Sequence, residues 1–169
     1  LPIAADGREI YIPQYGLGRL VEAPSEIAVM VDTFLAAPVL SPQNALVTGY
    51  DFLIDQANAV NSTLDGQGIQ VDTLIDNTWT AQDFRDMAFD ATAYDLISLN
   101  SHFDHFRFFP NDPTDVLSTE FDGTSNFDGR LIFSVGCHAG LNLFDDGTTL
   151  GFTGADFAQI FARHGATFI

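Results

Sequence analysis

The chain has 169 residues, of which 46% are hydrophobic, enough for one domain with a sizeable core. Twenty-three acidic residues oppose six basic ones, all arginine, for a net charge of −17. That balance disfavours nucleic acid and anionic membranes, which are bound through Lys and Arg, and no apolar run is long enough to insert across a bilayer.

The chain opens on Leu1-Pro2-Ile3 without a Met, shows no signal peptide, and closes on the strand-like Ala166-Thr167-Phe168-Ile169. It therefore reads as a single domain, residues 1–169, cut from a longer polypeptide at both ends. Glu9-Ile10-Tyr11-Ile12 is a short strand candidate, followed by a turn at Gly16-Leu17-Gly18-Arg19. A helix is expected after Pro24-Ser25-Glu26, with Ser25 as its cap and Ile27, Met30, Val31 and Phe34 at helical spacing, ending before Pro38. Ala45 to Gly49 reads as a buried strand leading into a helix over Phe52 to Leu64, stopped by Gly66 and Gly68. Ile69 to Ile75 alternates with period two, and Thr80-Ala81-Gln82-Asp83 caps a short helix through Met87. Tyr94 to Asn100 and Leu131 to Gly136 are apolar strands. Between them, residues 103–129 read as one long loop rich in Asp, Pro, Gly, Ser and Thr, a length typical of functional loops. Thr153-Gly154-Ala155-Asp156 opens a last helix with Phe157, Ile160 and Phe161 on one face, and a final strand follows Gly165.

Continuous apolar strands separated by helices predict an α/β fold, a mostly parallel sheet with helices on both faces. Ligands bind such sheets at the carboxyl ends of the strands. Two chemically active residues fall there. Leu96-Ile97-Ser98-Leu99 delivers His102, and Leu131-Ile132-Phe133-Ser134-Val135 delivers Cys137, the only cysteine in the chain, which therefore excludes an internal disulfide. A neutral thiol is a weak nucleophile, and a nearby imidazole supplies the thiolate. Gly136 and Gly140 permit the tight turn that aims backbone N–H groups at an oxyanion. The pattern suits a Cys-His dyad, and a lone cysteine is also commonly a buried structural residue.

Leu99-Asn100-Ser101-His102-Phe103 and Val135-Gly136-Cys137-His138-Ala139-Gly140 resemble the strand-His-Gly and strand-Ala-Cys-x-x-Gly segments of the caspase-like cysteine peptidases, and of gingipains among them. The 35 residues from His102 to Cys137 suit gingipains. Gly18-Arg19 to Ile27 looks like their Gly-Arg strand and following helix, and Gly165 to Ile169 like the strand after the Cys segment. The resemblance implies a cysteine-type endopeptidase acting on polypeptides outside the cell or at its surface, with Cys137 as nucleophile and His102 as base and acid. It implies an oxyanion hole from the backbone N–H groups of Phe103 and Cys137, and no cofactor for catalysis. It also implies an acidic partner for His102. Asp51 is the counterpart, although a carboxylate there also suits a helix N-terminus. Asp55 is the candidate acidic residue for a substrate pocket. Two positions depart from the pattern: Phe103 stands where the family has Gly, so its ring is expected to crowd the substrate backbone, and Gly136 stands where it has Ala.

Other readings remain beside this one. Ser101-His102-Phe103-Asp104-His105, with His138, resembles part of the His-x-His-x-Asp-His signature of metallo-β-lactamase-like zinc hydrolases, with Asn100 in place of the first His. His105, His138 and His164 also suit a loop cap, a turn and a last helical turn. The repeated Phe121-Asp122-Gly123 and Phe127-Asp128-Gly129 make turns, or place Asp122 and Asp128 as ligands of a structural calcium of the kind gingipains bind. The acidity as a whole serves either solubility in salt or calcium binding. A non-catalytic, peptidase-like domain of a secreted protein is the remaining alternative.

Overall fold

The computed structural model describes residues 2–5, 8–11, 20, 23–89, 94–123, 127, 129–143 and 154–168. The Gly16 to Arg19 turn, Val21 and Glu22 of the Gly-Arg segment, Asp128 and Thr153 lie outside these residues. Strands β1 (Pro2–Ala5) and β2 (Arg8–Tyr11) form an antiparallel pair of their own. Helix α1 (Pro24–Ala36) starts earlier than a Ser25 cap requires: Ala23 is the N-cap, and Pro24 takes the first turn, where its missing N–H is harmless. The Glu26 carboxylate accepts the Ala23 N–H at 2.9 Å. Its other oxygen accepts from Arg163 and Gln159, so this buried acid ties α1 to the last helix. The predicted stripe on α1 is only partly covered, with Phe34 60% exposed.

β3 (Asn44–Gly49) is followed by a 3-10 turn (Asp51–Leu53), α2 (Ile54–Asp65), β4 (Gln70–Ile75), α3 (Ala81–Ala88) and β5 (Leu96–Leu99). α3 is capped as the sequence requires, with the Thr80 hydroxyl accepting from Asp83 N at 3.1 Å. The stretch read as one long loop contains three short strands, β6 (His102–Phe103), β7 (Arg107–Phe109) and β8 (Val116–Leu117), paired antiparallel into a small sheet, then a 3-10 turn (Ser118–Glu120). β9 (Leu131–Ser134), α4 (Phe157–Arg163) and β10 (Thr167–Phe168) are the last elements among the described residues. All of Phe157 to Ala162 is buried, so α4 is covered all round rather than along one face.

The main sheet is parallel throughout, in the order β10-β9-β5-β3-β4. Counted within the sheet this is 2-1-3-4-5, which puts the reversal of winding between β3 and β5. Leu46, Ile97 and Ile132 lie in register across one face and join the core with Phe84 of α3 and Phe157, Ile160 and Phe161 of α4. The other face carries Ala45, Val47 and Gly49. There α2 approaches so closely that a side chain on Gly49 would strike Ala57. Helices thus cover both faces, as an apolar parallel sheet requires. Among the described residues no helix is long and apolar enough to cross a membrane.

Candidate active site

The carboxyl ends of β3, β5 and β9 lie side by side. Each continues into a short segment bearing one of the residues singled out from the sequence. Asp51 comes two residues after β3, His102 three after β5, and Cys137 three after β9. Leu99 and Ser134 are register partners, so His102 and Cys137 stand at equivalent steps beyond neighbouring strands. The order along the edge is acid, imidazole, thiol. The step between β3 and β5 is the switch point of the sheet, the place where open α/β folds hold ligands.

The β5 end is fixed by a buried network. Asn100 is fully buried; its N–H donates to Thr48 Oγ1 at 3.0 Å, and its amide donates to Thr48 O at 2.9 Å and Ser98 Oγ at 2.8 Å. Its backbone carbonyl accepts the Tyr50 N–H at 3.1 Å, so the residues after β3 and β5 are bonded to each other. Ser101 donates its hydroxyl to Phe109 O. His102 then emerges half exposed, with Nε2 3.2 Å from Asp51 Oδ2. The rings of Tyr50 and Phe52 lie 5.7 and 5.4 Å from the imidazole, centroid to centroid, so three consecutive residues converge on it. Asp51 is left-handed, φ 55°, and its N–H donates to Asn77 Oδ1 at 2.9 Å.

Cys137 is exposed and begins a turn over residues 137–140, with His138 at φ 62° and Leu141 N donating to His138 O at 3.1 Å. The far side of this turn is anchored by Asp156, the buried cap of α4, whose carboxylate accepts from Leu143 N at 2.6 Å and Asn142 Nδ2 at 3.1 Å. The near side rests on the β5 extension. A side chain on Gly136 would strike the Phe103 ring and come 2.9 Å from Ser101 O.

The Phe103 ring does not crowd the site. It is 6% exposed and packs against Phe108 and Phe157 at 4.8 and 5.2 Å. Its backbone is informative too. Asp104 N donates to Arg107 O, which makes Asp104–Arg107 a hydrogen-bonded pair of the β6–β7 ladder. Alternation then makes Phe103–Phe108 a non-bonded pair, with the Phe103 N–H turned away from β7.

The remaining candidates go elsewhere. Asp55 is exposed in the first turn of α2. Asp122 lies 3.0 Å from His164 Nε2. Asp104 accepts from Phe106 N, Arg107 N and the Arg107 guanidinium, while His105 is buried with its ring 4.9 Å from that of His138. Among the described residues no group of three or more His, Cys, Asp or Glu side chains gathers to hold a metal. Tyr50, Phe52 and Asn77 escaped the reading of the sequence. Only Asn77 carried a signal, turn chemistry: Asp76-Asn77-Thr78 directly after a strand marks a side-chain-bonded loop at the same sheet edge.

The chain matches no family model, no curated protein and no solved structure.

Proposed function

We propose that the chain is a cysteine-type endopeptidase domain of gingipain-like, caspase-related architecture, working outside the cell. The observation that carries this reading is the sequence of side chains along one sheet edge: Asp51 against His102, and Cys137 one strand further at the equivalent step. With Nε2–H of His102 donated to Asp51, Nδ1 is left to take the thiol proton. The Cys137 thiolate attacks the scissile carbonyl carbon, and the backbone N–H groups of Phe103 and Cys137 receive the oxyanion. His102 returns the proton to the amine as the C–N bond breaks. Water, deprotonated by the same imidazole, then hydrolyses the thioester and restores the thiol. No metal or cofactor enters these steps.

Cys137→Ala is expected to abolish cleavage of a fluorescent casein substrate with unchanged circular dichroism, and iodoacetamide to inactivate the parent chain. Full cleavage by the variant would overturn the mechanism. Loss on chelation with resistance to iodoacetamide would favour the zinc hydrolase, and no cleavage by the parent the non-catalytic alternative.

A further inference from the structure

The structure assigns Asn77 as a positioning residue that holds Asp51 in the conformation presenting its carboxylate to His102. What the His102–Cys137 pair does rests on the peptidase reading above; how Asp51 is held rests on separate geometry. Asp51 has φ 55°, a region that residues with a Cβ rarely occupy, and it is exposed, so packing does not impose it. Its N–H is donated to Asn77 Oδ1 at 2.9 Å.

Asn77 is itself on a braced loop. Asp76 Oδ1 accepts from Thr78 N at 2.6 Å, Thr78 Oγ1 at 2.7 Å and Trp79 N at 3.1 Å. Trp79 is buried and donates its indole N–H to Gly49 O at 3.0 Å. The loop after β4 therefore grips the end of β3 and the segment after it at two points, Trp79 on Gly49 and Asn77 on Asp51. Between them Tyr50 is bonded to Asn100 of the β5 end. With its backbone so held, residue 51 turns out of line, and the side chains of Tyr50, Asp51 and Phe52 all meet one imidazole. Without the Asn77 acceptor, Asp51 is free to return to a negative φ, and the carboxylate leaves Nε2.

The test uses the single cysteine, which makes alkylation by iodoacetamide a reading of Cys137 alone. In Asn77→Ala the φ of Asp51, read from its backbone NMR couplings and carbon shifts, is expected to become negative. Alkylation and kcat should fall roughly tenfold with KM held, as for a displaced catalytic group. Asn77→Asp, which keeps an acceptor oxygen, should restore most of both. Asn77→Ala added to Asp51→Ala should slow alkylation no further than Asp51→Ala alone. A positive φ retained in Asn77→Ala overturns the proposal, as does additivity of the two alanine variants, or a negative φ with unchanged alkylation. If His102→Ala itself leaves alkylation unchanged, the peptidase reading fails and the positioning role falls with it, while a changed φ still identifies Asn77 as a backbone clamp.

Discussion

A methyl group added at Gly136 has no room, because the Phe103 ring and the Ser101 carbonyl already fill the space. Gly136 and Phe103, the two positions that differ from the peptidase segments the sequence resembles, therefore face each other. Gly136→Ala is expected to destabilise the fold by about 1–3 kcal/mol, the usual range for overpacking. Adding Phe103→Leu should recover part of that loss, which a thermal double-mutant cycle would measure. Equal destabilisation with and without Phe103→Leu would remove the coupling. At this scale, His102 and Cys137 were legible because each follows an apolar strand. Asn77 was not, since its importance arises only from a positive φ at Asp51, and periodicity says nothing of φ at a single exposed residue. Nor was the inward turn of Phe103, which depends on how β6 pairs.

Among elements, the β6–β8 sheet was the largest omission. Its strands are two or three residues long, too short for an alternating pattern to register, and they sit among Asp, Pro and Thr. Phe103, Phe108 and Val116 join them to the core, with Phe108 against Phe84 and Trp79, and a polar anchor distant in sequence adds to this. Arg85 of α3 donates Nε to Glu120 at 2.7 Å, and Nη2 to Glu120 at 3.0 Å and Asp115 O at 2.7 Å; Glu120 also accepts the Leu117 N–H at 2.8 Å. Burial pushes the Glu120 carboxyl up, but the Arg85 guanidinium and the Leu117 N–H outweigh it and hold it below its ordinary value of 4.5. A carboxylate held low in the folded state binds fewer protons there than when unfolded. Its stabilisation is present above pH 4.5 and is lost as the pH falls from there through the folded value. Glu120→Gln should lower stability at neutral pH by about 1–2 kcal/mol, for a charge-assisted pair only partly withdrawn from water. The same variant should flatten the acid limb of a urea midpoint-against-pH curve. An acid limb as steep as that of the parent would show that other carboxylates set it.

For the whole molecule, the strand–helix alternation was readable from apolar runs and gave the parallel sheet; the strand order was not, because nothing in a strand's composition states which neighbour it will take. That order has a kinetic meaning. β3 pairs with β5, whose partner residues lie about fifty positions later, and β5 pairs with β9 a further thirty-five on. Pairings so far apart close slowly, since chain entropy is lost before contacts are gained. The sheet edge that gathers Asp51, His102 and Cys137 therefore exists only once the latest of these pairings has formed. On the proposed reading, thiol reactivity becomes a clock for the end of folding. In refolding from urea, rapid alkylation of Cys137 should rise with the slowest phase seen by Trp79 fluorescence. Appearance in an earlier phase would mean that the thiol is activated before its strand has a neighbour.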